Sequence, residues 1–229
     1  MTDFATLSPR ALAPYIQHTL IAVGTTRQQA EAHARQAIEY GFDAAMVAGS
    51  WVQLTADMLE GTGITVASAL DFPTVGVMTS AGKAAEAAEL VRLGAEEIDI
   101  GVQVGWLKSG DHDGFREDIA GVVRAAGVPI KVMLELPLLT EDEKEVAVEL
   151  SVEAGATYLK NASSGAIETA SPESIRYLVE RAPEGVLVKA SGGIKSRQQV
   201  IDLLTAGAAK VGTSAGIEIV TGDDATESY

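Results

Sequence analysis

One pattern repeats along most of the chain and restricts its fold more than any other feature. An amphipathic stretch rich in Ala, Glu and Arg ends at a glycine, and a short run of apolar or β-branched residues follows. A glycine just after a helix supplies the left-handed turn that ends it. Short, nearly continuous apolar runs are typical of parallel strands covered by helices. The glycines are Gly41, Gly94, Gly127, Gly155, Gly185 and Gly207.

The repeats predict eight strands with seven helices between and after them. Thr140 followed by Glu143 has the form of a capping box, and Ser171 before Pro172 places a proline at the first helical position. The predicted strands cover 15–20, 44–48, 64–70, 97–100, 129–134, 157–159, 186–188 and 209–211, and the predicted helices cover about 27–40, 51–60, 79–93, 113–126, 140–154, 172–182 and 196–206.

Eight such units predict an α/β fold, a single (β/α)8 TIM barrel. Such barrels typically have about 250 residues, so this chain is on the short side. A doubly wound open sheet is the alternative. That fold is usually marked by a GxGxxG loop after its first strand, whereas Ile21-Ala-Val-Gly24 stands there in this chain. We expect one barrel domain over 1–220. The last residues, 221–229, are polar and acidic, so we expect them to form a flexible tail.

Composition narrows the range of partners and of chemistry. A formal net charge of −15 argues against nucleic acid and anionic membranes as partners, because both select basic surfaces. The absence of cysteine excludes a disulfide scaffold and a thiol nucleophile, and three histidines without a metal-binding spacing predict no metal site. The chain shows no signal peptide and no membrane-spanning run, so we expect a cytoplasmic protein.

Charged residues stand inside or at the end of four predicted strands, where a charge is costly unless it is paired. Asp99 lies in the fourth strand, Lys131 in the fifth, and Lys160 and Lys189 end the sixth and seventh. Two ammonium groups held close together lower each other's pKa. A neutral lysine attacks carbonyls to form a Schiff base, and a nearby carboxylate can move the protons. The alternative is that each lysine forms a core ion pair with a barrel carboxylate such as Glu135.

Glycine-rich loops follow the last two predicted strands. Ala190-Ser-Gly-Gly-Ile194 follows the seventh, and Gly212-Thr-Ser-Ala-Gly216 follows the eighth. Loops at these two places commonly bind phosphate in barrel enzymes, because backbone amides at a helix N-terminus point at the anion. Glycine and serine are also ordinary turn residues. We favour an anion site over ordinary turns.

Seven motifs occur in a fixed order within a segment that runs from His18 to about Val220. They are Glu97-Ile-Asp99, Leu107-Lys-Ser-Gly-Asp111, Lys131-Val-Met-Leu-Glu135, Leu138-Leu-Thr140, Ala154-Gly-Ala-Thr-Tyr-Leu-Lys160, Val188-Lys-Ala-Ser-Gly-Gly-Ile194 and Ala206-Gly-Ala-Ala-Lys-Val-Gly-Thr-Ser214. In this order they resemble the deoxyribose-phosphate aldolase family, over nearly the whole domain.

The resemblance implies a class I aldolase on a TIM barrel. Such an enzyme reversibly cleaves 2-deoxyribose 5-phosphate into acetaldehyde and glyceraldehyde 3-phosphate and needs no metal or organic cofactor. By position, Lys160 is the Schiff-base lysine, Lys189 is the lysine that perturbs it and Asp99 is the acid of the proton relay. The residues that hold the phosphate are then Gly192, Gly193, Gly212 and Ser214.

The sequence departs from the family pattern near the expected substrate. Lys160-Asn-Ala-Ser-Ser164 replaces the usual Lys-Thr-Ser-Thr-Gly, Gln17 replaces an aspartate, Met46-Val-Ala-Gly49 replaces Cys-Val-Asn-Pro, and Asp71-Phe-Pro73 replaces Gly-Phe-Pro. The alternative function is therefore the same imine chemistry on a different carbonyl substrate, phosphorylated or not. A third hypothesis is a non-catalytic barrel that binds a sugar phosphate or a protein partner.

The sequence also allows expectations for the three histidines, the two tryptophans and the oligomeric state. His18 is expected to be structural, at a strand end, His33 to lie on a helix surface and His112 to lie in a loop. Trp51 and Trp106 either line the mouth of the pocket or pack as ordinary core residues. Barrels of this kind often pair, so we expect a homodimer.

Overall fold

The chain forms a closed barrel of eight parallel strands in sequence order, as the repeats predict. The computed structural model describes residues 2–222. The predicted strands agree with the observed ones to within two residues at either end, except that the seventh runs three residues further than predicted, to Ser191. The strands are β1 (Ile16–Leu20), β2 (Ala44–Ala48), β3 (Thr65–Leu70), β4 (Glu97–Gly101), β5 (Ile130–Met133), β6 (Tyr158–Lys160), β7 (Leu187–Ser191) and β8 (Lys210–Thr213).

Helices surround the barrel and cover the outward faces of the strands. Short 3-10 helices at Phe4–Thr6, Pro9–Tyr15, Gly49–Trp51 and Leu136–Leu138 accompany them. Two helices of five and six residues, Val104–Lys108 and Gly216–Thr221, were not predicted. The helices are α1 (Arg27–Tyr40), α2 (Val52–Leu59), α3 (Ser80–Arg92), α4 (Val104–Lys108), α5 (His112–Ala126), α6 (Glu141–Glu153), α7 (Pro172–Arg181), α8 (Arg197–Thr205) and α9 (Gly216–Thr221).

Alternation along the strands separates an apolar shell from a polar interior. Ile98 and Ile100 of β4 are fully buried and belong to the main hydrophobic core. Asp99, between them, points to the opposite face. The parallel register places Asp99 beside Lys131 of β5, and places Lys160 beside Lys189. Four charged residues on four strands therefore share the inside of the barrel.

Two of the histidine predictions are wrong. His33 is buried at 3% exposure. It stacks on His18 with the ring centroids 4.3 Å apart, and its Nε2 lies 3.1 Å from the carbonyl oxygen of His18. His112 does not lie in a loop but begins α5, because the carboxylate of Asp111 accepts the amide of Gly114 and caps the helix there. His18 is buried at the barrel wall and stacks on Phe42, as a structural histidine would.

The C-terminal end of the described chain is α9, which ends at Thr221 before a left-handed Gly222. The predicted tail from 223 onward lies outside the described residues, so its flexibility stays a prediction. Within residues 2–222, none of the helices combines the length and the apolar character needed to cross a bilayer.

Candidate active site

One carboxylate inside the barrel is shared by three lysines. Oδ2 of Asp99 lies 2.8 Å from Nζ of Lys160 and 2.7 Å from Nζ of Lys189. Oδ1 lies 3.4 Å from Nζ of Lys131. Asp99, Lys131 and Lys189 are fully buried, whereas Lys160 keeps 3% exposure. The structure thus brings together the three residues that the sequence assigns to catalysis, and Lys160 is the one a small molecule can reach.

The three neighbouring lysines determine the charge state of Asp99. Burial alone would raise the pKa of its carboxyl group, but Lys160, Lys189 and Lys131 outweigh burial and hold the pKa well below its usual range. Asp99 is therefore ionised at neutral pH. An ionised carboxylate that accepts hydrogen bonds from two ammonium groups fixes both side chains in position.

A second charge network lies behind Asp99, towards the start of the strands. Lys131 lies 2.6 Å from Oε2 of Glu97, nearer than to Asp99. Gln17 donates from Nε2 to the same Glu97 oxygen at 2.7 Å and to Asp43 at 3.0 Å. Lys210 pairs with Asp43. Sequence reasoning missed Glu97 and Gln17 as partners, although position 97 has the same inward parity as position 99.

The core ion pair considered as an alternative does not form with Glu135 in the described chain. Lys160 and Lys189 pair with Asp99, and Glu135 accepts the amide of Ser163 at 2.9 Å. Burial raises the pKa of the Glu135 carboxyl group. Glu135 stands in the left-handed region, with φ of 54°, at the point where the chain leaves β5.

The loop after β6, which departs from the family pattern, is held to β7 by Asn161. This fully buried side chain donates from Nδ2 to Glu168 at 2.9 Å and to the carbonyl oxygen of Ser191 at 3.0 Å. It also accepts the amide of Ser191 at 2.9 Å. Asn161 directly follows Lys160. Its side chain therefore connects the end of β6 to the end of the strand that carries Lys189.

The four residues expected to hold phosphate lie at the ends of β7 and β8. Gly192 and Gly193 follow β7 with φ of 106° and 62°. A Cβ at Gly192 would lie 2.2 Å from the carbonyl oxygen of Glu168, so the loop after β6 packs directly on this glycine. Gly212 is buried within β8, and Ser214 is exposed just after it. The structure places these four residues on two neighbouring strand ends.

The loop after β3 is anchored by a buried cluster that the sequence did not reveal. The carboxylate of Asp71 accepts the amides of Gly76, Val77 and Met78 at 2.9–3.1 Å. Lys83 of α3 lies 3.2 Å from that carboxylate and 2.6 Å from that of Asp118. These three charged side chains have 0% exposure, so they fix the loop in one conformation.

The tryptophans differ in their positions. Trp51 lines a cleft of about 450 Å³ between the loops that follow β1, β2 and β3. Trp106 lies in α4 and is 38% exposed. Within the described part of the chain, no group of three or more His, Cys, Asp or Glu side chains is placed to hold a metal ion.

The fold and the buried lysine pair define the class of this protein, a barrel aldolase and hence a lyase. The chain is 41% identical over 212 residues to the deoxyribose-phosphate aldolase of Methanothermobacter thermautotrophicus, covering 92% of this chain and 94% of that one. It is 40% identical over 215 residues to that of Brevibacillus brevis, covering 93% and 97%. The chain belongs to the deoxyribose-phosphate aldolase family.

Solved structures agree with this assignment. The deoxyribose phosphate aldolase of Aeropyrum pernix, whose structure is tetrameric, matches with a TM-score of 0.85 and 29% identity, covering 94% of this chain and 92% of that one. No protein-family model matches the chain.

Proposed function

We propose that the protein reversibly cleaves 2-deoxyribose 5-phosphate into acetaldehyde and glyceraldehyde 3-phosphate through a Schiff base on Lys160. The observation that carries this proposal is the sharing of one carboxylate by Lys160 and Lys189, at 2.8 and 2.7 Å. The family of the chain supplies the substrate, because its relatives are named deoxyribose-phosphate aldolases.

The proposed imine requires Lys160 to react as a neutral amine. Glu97 balances Lys131 at 2.6 Å, and Asp99 can balance one further ammonium group. Lys189, which is fully buried, donates the other hydrogen bond to that carboxylate. Lys160 then loses its proton through Asp99 to water and becomes a nucleophile towards carbonyls.

The reaction then proceeds through an imine, cleavage of the C2–C3 bond and hydrolysis. The Lys160 amine adds to C1 of the open-chain sugar, and one water leaves as the imine forms. The C3 hydroxyl gives its proton to the relay of Asp99 and water, the C2–C3 bond breaks, and the electron pair enters the imine as an enamine. The C3 fragment leaves as glyceraldehyde 3-phosphate. The enamine takes a proton at C2, and water hydrolyses the imine to acetaldehyde and free Lys160. The imine accepts the electron pair, so the proposal requires no cofactor.

We propose that Gly192, Gly193, Gly212 and Ser214 bind the phosphate. Positive φ angles at the first two glycines and the exposure of Ser214 support this. The amide of Ser196 and that of Lys195 are already taken by the side chain of Gln199, which caps α8. On the β7 side, the phosphate therefore uses amides that lie before Lys195.

Trapping with borohydride tests the imine. The protein is incubated with acetaldehyde or deoxyribose 5-phosphate, reduced, and mapped by peptide mass spectrometry. We expect the adduct on Lys160 and the loss of turnover in Lys160→Leu. Lys144→Leu, on the outside of α6, is the matched control and should keep its activity. An adduct elsewhere, or an active Lys160→Leu, overturns the proposal.

A second candidate is the same chemistry on an unphosphorylated carbonyl substrate. It is favoured by the change at Asn161, whose side chain is committed to Glu168 and Ser191. Comparison of kcat/KM for deoxyribose 5-phosphate and for deoxyribose separates the two candidates. A strong preference for the phosphorylated sugar supports the first.

We further propose that the protein is a cytoplasmic homodimer that acts on small molecules. The relative from A. pernix forms a tetramer, so light scattering on the purified protein should show more than one copy. A monomer at micromolar concentration contradicts the dimer.

A further inference from the structure

The cleft beside Trp51 opens at the same end of the barrel as Lys160. The loops after β1, β2 and β3 form its walls, and its volume is about 450 Å³. Small-molecule sites generally measure roughly 300–1,000 Å³. Its walls include Ile21, Ala48, Trp51, Ala69, Phe72 and Pro73.

The cleft comes within one strand of the reacting centre. Ala69 of β3 stands in register with Asp99 of β4, one strand away, which is a distance of about 4.8 Å. Ala48 of β2 stands in register with Ala69. Both side chains are methyl groups, so the interior of the barrel is open where a larger residue would close it.

Beneath these alanines, beside β2 and β3, the otherwise polar barrel interior is apolar. Ala44, Met46 and Ala67 form a separate buried cluster, and Ile21 and Ala69 pack against it. The cleft therefore has an apolar floor as well as aromatic walls. The remaining lining includes the polar residues Thr25 and Ser50. An alkyl group that packs on the apolar walls displaces water from them favourably.

The residues that line the cleft are all uncharged, and the nearest carboxylate is directed away from it. Asp71 lies in the chain between the lining residues Ala69 and Phe72, but its oxygens bind Lys83 and three backbone amides. Gln17 likewise donates to Asp43 and Glu97, towards the start of the strands. The cleft offers no charge to a sugar hydroxyl or a phosphate.

We propose that this cleft binds the apolar chain of the aldehyde that forms the imine, so that the protein accepts unbranched aldehydes of about four to six carbons as donors. The inference rests on the proposed function, because it needs Lys160 as the imine-forming amine. The carbonyl carbon is held at Lys160 Nζ, 2.8 Å from Asp99, and the alkyl chain extends past Ala69 towards Trp51. The acceptor aldehyde then lies on the opposite side, at β7 and β8.

Such a donor reacts through the same imine and enamine on Lys160. An aldehyde R–CH2–CHO loses water to form the imine with Lys160 and then loses one α-proton to water through Asp99, which gives the enamine. The α-carbon bonds to the carbonyl carbon of an acceptor aldehyde, whose oxygen takes up a proton. Hydrolysis with one water releases a 2-substituted 3-hydroxyaldehyde and returns the amine.

Reductive trapping with cyanoborohydride measures this binding without an acceptor. The fraction of labelled Lys160 is followed by mass spectrometry against the concentration of acetaldehyde or of pentanal. Pentanal has three more methylene groups, and each buried one contributes about 0.8 kcal/mol. Because burial is partial, we expect half-labelling at a concentration about tenfold lower for pentanal than for acetaldehyde.

Two variants test the location of the chain. Ala48→Leu fills the cleft and should bring the ratio of the two concentrations close to one. Trp51→Ala removes an aromatic wall and should lower the ratio several-fold, which keeps the test valid if the first variant does not fold. Ala85→Leu, the same change on an exposed position of α3, should keep the wild-type ratio.

The outcomes separate the two proposals. Equal half-labelling concentrations on Lys160, or a ratio that neither cleft variant changes, overturn the assignment of the cleft and leave the proposed function standing. Failure of both aldehydes to label Lys160 overturns the proposed function and, with it, this inference.

Discussion

Replacement of Glu97 by glutamine tests the charge balance inside the barrel. Lys131 is fully buried, and Glu97, at 2.6 Å, is its nearest carboxylate. At an effective dielectric constant of 20, two unit charges at this distance attract by about 6 kcal/mol before any cost of desolvation. In Glu97→Gln the amide oxygen still accepts a hydrogen bond, but the counter-charge is lost.

The expected loss of stability follows from these contacts. Breaking a buried pair by removing one partner costs about 3–5 kcal/mol. Because Glu97 keeps 15% exposure and the glutamine keeps one hydrogen bond, we expect the lower end, about 3 kcal/mol. In a domain of this size that lowers Tm by roughly 6–12 °C. Urea unfolding followed by circular dichroism measures it.

The same substitution should also slow imine formation at Lys160. Without Glu97, the only carboxylate left near Lys131 in the described chain is Asp99, at 3.4 Å. Lys131 then competes for the carboxylate that positions Lys160 and Lys189, so borohydride trapping should slow down. Glu31→Gln, which affects exposed pairs on α1, is the control and should cost less than about 1 kcal/mol. If the two variants unfold at the same urea concentration, the charge balance described for the barrel is wrong.

Three further outcomes are expected. Burial lowers the pKa of His18 to about 4 and that of His33 to about 3, below the ordinary 6.5. The unfolded chain therefore binds protons first as the pH falls, so this contribution to stability is complete above about pH 7.5 and about 3 kcal/mol lower at about pH 5.5. Urea unfolding at both pH values should show this loss of stability, and the loss should be much smaller in the His18→Gln/His33→Gln variant. Asp71→Ala removes the acceptor of three amides and one partner of Lys83, so it should cost about 3 kcal/mol in urea unfolding, more than Asp71→Asn; equal costs would refute the role of the charge. Asn161→Ala should free the loop at 161–170 for cleavage by a protease while the barrel stays folded, and an uncleaved loop would contradict its role.

The fold was predictable because its signals are local. Each glycine-terminated helix and each apolar run can be recognised within about 25 residues of chain. The charged residues at 99, 131, 160 and 189 stood out for the same reason, since a charge inside an apolar run is conspicuous. Glu97 begins its strand and has the parity of Asp99, so it could also have been assigned to the interior.

The partners of these residues were not predictable in the same way. Lys131 has two inward-facing carboxylates of β4 within reach. The register of the barrel places Asp99 beside it, yet its ammonium group lies nearer to Glu97, two residues earlier on that strand. Asn161 and Asp71 act through loops whose course depends on distant chain. The error at His33 was avoidable, because Ala30, Ala34 and Ala37 mark the buried face of α1 and position 33 shares that face.

The burial of four lysines, at 83, 131, 160 and 189, has a practical consequence. Reagents that attach proteins to supports or dyes through amines react with exposed ammonium groups, and these four are enclosed by the fold. Immobilisation through surface lysines such as Lys108 should therefore leave the reactive amine of the barrel untouched, while a small aldehyde that enters the mouth can still reach Lys160. One residue type thus supplies both the attachment points and the chemistry, and burial alone keeps the two apart.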